Sequence, residues 1–319
     1  MKIVLSSVDI NDQQGPGIAG MIKHIEKIGR VSYQSYDRMT EDSAERFVDM
    51  LSNNGHWNPL SFGTVYMIIP GYDTDLINKF TNPLNTQTTP FSRWHVTDEG
   101  DILLTTNYRI CLQLGIGMDI IEKYWREPTD KFFHRVTTHW ICSRGVSHEL
   151  VRHGCLRFNQ ESQRWISYSK ERFGGEIKYI VPEWIYKVRD YYLSQYPEAL
   201  GMDGVELWNF FKYKDKTVSR HHNDWVRTEE DYIYETTVED PNSFKLRPEE
   251  ARGVLNNDTK TELYAIGYTS DWFYHVPEGS KEKAGLFDLR CDKAAHPDFR
   301  VLAESLRDQM VSAGFDKLK

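Results

Sequence analysis

The sequence is poor in cysteine and has no long apolar run, and both absences narrow the class of protein. Its four cysteines are far apart and form no Cys-x-x-Cys pair: Cys111, Cys142, Cys155 and Cys291. We therefore expect reduced thiols, no disulfide scaffold and no metal site. No run of about 18 apolar residues exists, which excludes a transmembrane helix. The first residues, MKIVLSSVDIND, contain too short an apolar run for a signal peptide, so we expect a cytoplasmic protein without a membrane partner.

An excess of basic charge is missing too. The 39 basic residues face 47 acidic ones, and the formal net charge is −8. Binding to a nucleic acid polymer needs a basic face, so this class of partner is excluded, whereas a local basic pocket for a small anion remains open. The 319 residues can build a sizeable core, and no repeat or linker marks a boundary. We predict one domain over residues 1–319.

The periodicity of the apolar residues predicts both strands and helices. Alternation over His134–Cys142 indicates a strand, and Phe62–Pro70, apolar on both faces, indicates a buried one. Thr261–Tyr268 is a further predicted strand. The pattern of Ile102–Leu114 favours a helix, and the many Thr and Asn residues of Asn82–Gly100 favour a loop.

One polar stretch, Val146–Lys170, dominates the chain: VSHELVRHGCLRFNQESQRWISYSK. Its cations are mostly arginine, the side chain suited to bidentate capture of phosphate or carboxylate, and Ser and Asn lie between them. The stretch favours an anionic-ligand site over its alternative, a solvated surface segment. We predict a helix capped by Ser147 that runs through His153 and is ended or bent by Gly154.

The segment RHGCLRFNQESQRW, Arg152–Trp165, resembles the signature RHRxxSxNExSxRY of the flavin-dependent thymidylate synthases. The flanking CSRGVSHELVRH and SYSK also resemble that family. So do segments elsewhere in the chain: RVSY at 30–33, HWNPL at 56–60, TTNYR at 105–109, PEEARGVL at 248–255, KTE at 260–262 and LRCDKAAHP at 289–297. The matches cover most of the chain apart from Gly201–Ser243, which we interpret as an insertion.

The resemblance implies a fold and an activity. The fold would be α+β, a flavin-dependent thymidylate synthase-like mixed sheet flanked by helices, forming a single catalytic domain over 1–319 with an insertion at 201–243. The enzyme would convert dUMP to dTMP, with methylenetetrahydrofolate as carbon donor, reduced FAD as hydride source and NADPH as co-substrate. Nucleotide monophosphate and folate would be its partners. It would assemble as a homotetramer with active sites shared between subunits.

The resemblance also assigns roles residue by residue. The catalytic set is Arg152, Ser162 and Arg290. The nucleotide-binding set is Glu149, Arg152, Gln160, Ser162, Arg164, Arg252 and Arg290. The cofactor-binding set is Ser32, His153, Arg157, Asn159 and Tyr268. Taken alone, each arginine would more simply be a surface ion pair worth about 0–1 kcal/mol.

The residues that differ from the family pattern stand at positions that, by the resemblance, mostly contact the flavin. Gly154 stands where the family has a second Arg, Phe62 where it has a His, and Ser270 where an Asn-x-Arg pattern would end. Three explanations stay open. FAD binds, with Arg157 restoring the charge about one helical turn from Gly154; or it binds weakly or in a new pose; or no hydride is delivered. In the last case water would trap the carbon as a hydroxymethyl pyrimidine on dUMP or dCMP. A non-catalytic nucleotide-binding protein is the remaining alternative.

Overall fold

The computed structural model describes residues 1–13, 15, 17–82, 91–274 and 285–318. The strands in these ranges are β1 (Lys2–Val4), β2 (Ser7–Ile10), β3 (Thr64–Ile69), β4 (Arg93–Val96), β5 (Ile102–Asn107), β6 (Arg135–Ser143), β7 (Arg157–Gln160), β8 (Lys178–Ile180) and β9 (Lys260–Tyr268).

The helices in the same ranges surround these strands. They are α1 (Gly17–Val31), α2 (Ser43–Asn53), α3 (Trp57–Leu60), α4 (Thr74–Thr81), α5 (Tyr108–Gln113), α6 (Met118–Tyr124), α7 (Arg144–Leu150), α8 (Trp184–Tyr192), α9 (Gly204–Phe211), α10 (Lys216–Thr237), α11 (Pro248–Ala251), α12 (Thr269–Phe273), α13 (Leu286–Arg290) and α14 (Pro297–Ser312). None of the described helices is both long enough and apolar enough to cross a membrane.

The strands form three sheets. The largest is antiparallel, in the order β2-β6-β9-β7; a second is antiparallel, in the order β3-β5-β4; and β1 pairs with β8 in parallel. Antiparallel and parallel pairs therefore coexist, and helices pack on the sheets. The predicted α+β fold with flanking helices is confirmed, with the parallel and antiparallel pairs in separate sheets.

The two faces of β9 belong to different cores. Leu263 and Ala265 pack with Trp140 and with residues of α14, whereas Tyr264 and Ile266 pack with the C-terminal end of α1. A strand covered on both faces is apolar along most of its length, and β9 is buried almost throughout. This double cover explains why Thr261–Tyr268 was recognisable as a strand from its sequence.

Three local predictions were wrong, and each was overridden by strand pairing or capping. Ile102–Leu114 is a strand followed by a helix, because β5 pairs with β3 on one side and β4 on the other. Within Asn82–Gly100, residues 83–90 lie outside the described ranges, and 93–96 form β4 instead of a loop. The helix expected to start at Ser147 starts at Arg144, since the Ser143 hydroxyl caps it by accepting from the Val146 amide.

The segment 201–243 is mostly helical. Helices α9 and α10 pack together through stacked rings, with 4.2 Å between the centroids of Trp208 and Trp225 and 4.9 Å from Trp225 to Tyr179 on β8. Large aromatic residues on both helices obscured the periodicity in the sequence. The segment thus joins a core with β8, and its interpretation as an insertion stays a prediction.

A buried charge network lies on the α1 side of β9. Lys260 contacts Glu161 at 2.8 Å and Glu262 at 3.3 Å, and Glu262 also accepts from His139 at 2.9 Å. Burial raises the pKa of Glu262, but the His139 hydrogen bond and the Lys260 charge outweigh it and bring the pKa to about 2. This carboxylate therefore stabilises the fold above the pH at which an unfolded Glu titrates, and the contribution is lost as pH falls toward 2.

We predict that Lys260→Met lowers the free energy of unfolding by roughly 3 kcal/mol, because it leaves Glu161 buried with a charge and no cation. Urea denaturation at neutral pH measures the change. Lys245→Met, at an exposed position, is the matched control and should change stability by less than about 0.5 kcal/mol. Equal effects of the two substitutions would contradict a stabilising role for the network.

Candidate active site

Arg290 organises a cluster at the C-terminal end of α7. Its Nη1 donates to Glu149 Oε2 at 2.7 Å, and its Nη2 donates to the Glu149 backbone oxygen at 3.3 Å. Its Nε donates to His153 Nε2 at 2.9 Å, and Phe299 lies under the guanidinium group at 4.8 Å. Arg290 and Glu149, both assigned to the nucleotide, are therefore in contact with each other, and Arg290 also contacts His153, which was assigned to the cofactor.

The imidazole of His153 is held in its neutral form. Burial lowers the pKa of His153, the charge of Arg290 lowers it further, and the pKa falls to about 4. Because Nε2 accepts from Arg290, the ring proton belongs on Nδ1. The arrangement fixes the guanidinium group between one carboxylate and one neutral acceptor.

Beside this cluster lies an open cavity of about 740 Å³. Arg152, His153 and Gly154 line it on one side, and Arg93 and Ser270 on the other. The Arg152 side chain is exposed and makes no ion pair or hydrogen bond to any residue in the described ranges. The cavity therefore has a guanidinium group free to bind an anion, and its volume suits a nucleotide or cofactor.

Arg93 was missed by the sequence analysis. It extends from β4, donates to the Ser270 hydroxyl, contacts Asp271 Oδ1 at 2.8 Å and lies over the Tyr268 ring at 4.0 Å. The alternation of RWHV at 93–96 could have indicated a strand, but nothing in the sequence linked Arg93 to Ser270. A guanidinium group from another strand thus lies beside Ser270, the residue at which the resemblance would place an arginine.

Arg157 does not lie one helical turn from Gly154, as the sequence had suggested. It belongs to β7, pairs with Ile266 of β9, and its guanidinium group lies 3.9 Å from the Phe91 ring centroid. There it lines a second cavity of about 270 Å³ together with Arg109. The idea that Arg157 replaces the missing charge at Gly154 by helical proximity is therefore wrong.

Ser32, Asn159 and Ser162 meet near the end of α1. The Ser32 hydroxyl donates to Asn159 Oδ1 at 3.2 Å, Asn159 Nδ2 donates to the Ile28 carbonyl at 2.6 Å, and the Ser162 amide donates to the Ser32 carbonyl at 3.2 Å. Asn159 is buried and its side-chain amide joins α1 to β7, whereas Ser162 is half-buried. In the single chain Asn159 thus has a structural role.

Gln160 and Tyr268 are also held by bonds within the chain. Gln160 Nε2 donates to Ser147 Oγ at 3.2 Å and to Thr261 Oγ1 at 2.9 Å. The buried Tyr268 hydroxyl lies 3.1 Å from the Phe91 carbonyl and 2.9 Å from the Thr105 carbonyl. Burial raises the pKa of Tyr268 to about 12, so the phenol keeps its proton.

Arg164 and Arg252 stand apart from the Arg290 cluster. Both are exposed, neither lines the 740 Å³ cavity, and neither side chain has an ion pair or hydrogen-bond partner within the described part of the chain. The residues predicted to bind the nucleotide therefore do not form a single pocket in one chain. Glu149, Arg152 and Arg290 are together, and the remaining arginines face solvent.

The family model described as thymidylate synthase complementing protein (Thy1) matches residues 133–313, more than half of the sequence. The chain belongs to the Thy1 family. It is accordingly a methyltransferase-type enzyme acting on nucleotides, and the resemblance found in the sequence is confirmed. No curated protein matches the chain.

Two solved structures are similar to the chain at low identity. One is the UMP/dUMP methylase PolB from Streptomyces cacaoi bound with 5-Br dUMP, with 13% identity, a TM-score of 0.35, and coverage of 98% of this chain and 92% of that one. The other is thymidylate synthase X from Helicobacter pylori with FAD and dUMP, with 10% identity, a TM-score of 0.36, and coverage of 99% and 98%.

Two departures from the Thy1 pattern have different structural settings. Phe62 is fully buried and packs with Val31 and Ile266, so it belongs to the core. Gly154 is exposed, and a Cβ placed there would meet nothing within 4 Å. Phe62 thus has a packing reason to be apolar, whereas no steric constraint requires glycine at 154.

We predict that Arg290→Gln raises the pKa of His153 from about 4, because the cation that disfavours the imidazolium is removed while burial remains. Arg290→Lys keeps a positive charge and is the matched control, with a pKa that stays low. Titration of the His153 ring signals by NMR measures both.

The stability of the fold has a matching pH dependence. The folded pKa lies below the usual value of about 6.5, so the contribution from neutral His153 is present above that pH and is lost as pH falls toward 4. A wild-type His153 that titrates near 6.5 would disprove the burial and the Arg290 contact together.

Proposed function

We propose that the protein methylates C5 of a pyrimidine deoxynucleotide, converting dUMP to dTMP. Methylenetetrahydrofolate would donate the carbon, reduced FAD the hydride, and NADPH would reduce the flavin. Membership of the Thy1 family supports the class of reaction. The observation that carries the proposal is the Glu149–His153–Arg290 cluster beside Arg152, which has no ion pair within the described residues, at the edge of a cavity large enough for a nucleotide.

The proposed role of each side chain follows from its charge and from how firmly its neighbours hold it in place. Arg152 is free to bind the nucleotide phosphate, and Arg290 is held rigidly enough to polarise the pyrimidine as C5 becomes nucleophilic. Such preorganised donors cost no rearrangement when charge develops. Glu149 orients Arg290, and Ser162 would complete the catalytic set. No protein nucleophile is required, so binding and orientation are the tasks of these residues.

The cavity residues fit a flavin dinucleotide by their donor chemistry. Arg93 lines the 740 Å³ cavity and Arg157 the smaller one, and arginine is suited to the phosphate groups of a dinucleotide. We propose that these two arginines hold the cofactor together with His153, Ser32, Asn159 and Tyr268. When bound, FAD would supply the hydride, while the protein fixes its position and excludes water.

We further propose that a second copy of the chain completes the site, in a homotetramer. Arg164 and Arg252 are exposed without a partner in the described ranges, and the neighbouring Trp165 is 60% exposed. Exposed arginine and tryptophan are typical of interface positions. In a site shared between two copies, Arg164 and Arg252 would contact the nucleotide bound by the neighbouring copy.

Hydroxymethylation of dUMP or dCMP is the second candidate function, favoured by the open space at Gly154 where the family has an arginine. In this reaction C5 bonds to the methylene carbon and loses its proton, the bond from that carbon to the folate nitrogen breaks, and water adds to the exocyclic carbon in place of a hydride. Tetrahydrofolate leaves with the proton that balances the reaction, and no oxidant or reductant is needed. The product is then a hydroxymethyl pyrimidine. This outcome requires only the folate donor and water.

We predict that the purified protein releases tritium from C5-labelled dUMP in the presence of methylenetetrahydrofolate, FAD and NADPH. Arg290→Gln should reduce kcat/KM by about 10²-fold or more, because one fixed donor to the developing charge is lost. Arg227→Gln, on the exposed face of α10, is the control and should leave the rate unchanged. No release from either dUMP or dCMP would refute both enzymatic candidates.

The product mass separates the two candidates. A methyl product with stoichiometric bound FAD supports thymidylate synthesis, and a hydroxymethyl product without flavin supports the second function. A parallel assay with C5-labelled dCMP identifies the preferred base, because tritium is released only from the nucleotide that reacts.

A further inference from the structure

Two arginines from distant segments face the same small cavity. Arg109 lies on α5, whose N-terminus is capped by Asn107, and Arg157 lies on β7. The cavity has a volume of about 270 Å³, and Ser61, Asn107 and Gln113 add polar groups to its lining. Phe91 contacts the Arg157 guanidinium group from one side at 3.9 Å. The lining thus combines two cations with amide and hydroxyl donors.

Within the described part of the chain, no carboxylate balances the positive charge of this cavity. Neither Arg109 nor Arg157 forms an ion pair with a carboxylate in the described ranges, and both are half-buried. The pKa of Arg157 is lowered by burial and then by the charges of Arg109 and Arg135. Arg135 in turn donates to the Ser61 carbonyl and the Thr64 hydroxyl, not to a carboxylate. Partly buried cations that lie close together repel one another, and an anion bound between them would relieve that repulsion.

The geometry points to an oxyanion subsite, and we propose that Arg109 and Arg157 hold a phosphate group of the flavin cofactor there. The identity of the ligand rests on the proposed function. The cavity is smaller than the 300–1,000 Å³ of common small-molecule pockets, so it suits one charged part of a ligand and not the whole molecule. Two guanidinium groups with amide and hydroxyl donors match the several oxygens of a phosphate.

Tyr268 connects this cavity to the larger one. Its hydroxyl lies 3.1 Å from the carbonyl oxygen of Phe91, which lines the small cavity, and its ring contacts Arg93, which lines the large one. A dinucleotide is extended and has its phosphates in the middle. It would therefore place phosphate against Arg109 and Arg157 and a ring system on the Arg93 side of the larger cavity, whose other side carries Arg152 for the nucleotide substrate.

The test compares FAD with riboflavin, which has the same ring system and no phosphate. Quenching of flavin fluorescence gives the Kd of each for the wild type, Arg109→Gln, Arg157→Gln and the double variant. We expect FAD affinity to fall about tenfold for each arginine, as charge-assisted hydrogen bonds are lost, and riboflavin affinity to stay unchanged. Arg157→Lys keeps the charge without the planar fork and should lose less. Arg227→Gln is the control for a distant arginine.

Each other outcome decides against some part of the proposal. Unchanged FAD affinity in the double variant overturns it, and so does an equal loss for FAD and riboflavin, which would indicate a structural role. Thermal melting of every variant detects misfolding. If the wild type binds neither flavin, inorganic diphosphate is titrated calorimetrically. Binding that depends on both arginines then supports the oxyanion subsite while rejecting FAD as cofactor, and no binding overturns the subsite as well.

Discussion

The antiparallel pairing of β6 with β9 is the constraint on which the candidate site depends. The two nine-residue strands pair over their whole length, from Arg135 opposite Tyr268 to Ser143 opposite Lys260. The next element, α7, follows β6 directly and packs back on the same two strands. The chain then enters β7 opposite Ile266, close to the end of β9 where α12 begins. This return is why residues 152–155 line one cavity with Ser270, Asp271 and Tyr274, although the two groups are far apart in sequence.

The arginines of the site differ in whether another side chain of the protein holds the guanidinium group. That difference separates arginines that orient a ligand from one that is available to bind it. Arg290 is held by a carboxylate and a neutral imidazole, so its orientation is fixed before any ligand arrives. Arg93 is likewise held by Asp271. Arg152 has no such partner within the described residues and is exposed. An anionic ligand would gain most from the uncompensated arginine and would be oriented by the fixed ones.

Much of the sheet core was predictable, whereas the contacts across the sheets were not. The strands at His134–Cys142 and Thr261–Tyr268 follow from alternation and burial, which are local properties. The prediction for Ile102–Leu114 was wrong because the spacing of its apolar residues fits a helix as well as a strand. Pairing with β3 and β4 selects the strand for its first half. The family resemblance assigned Glu149 and Arg290 to the nucleotide and His153 to the cofactor, and did not indicate that the three are in contact. The roles of Arg93 and Arg109 could not be predicted from the sequence. Arg93 lies near Ser270, and Arg109 near Arg157, only because a separate sheet packs against this one.

The contact between Arg93 and Ser270 has a consequence for how variation in this family is interpreted. In an alignment by position, Ser270 counts as the loss of a positive charge. In three dimensions the charge is present, supplied by a strand 177 residues earlier in the chain. The hydrogen bond makes the two positions interdependent in this chain, so a large side chain at 270 would displace the guanidinium group of the β4 arginine. Residue 270 taken alone therefore understates the positive charge at this edge of the cavity, because Arg93 lines it too.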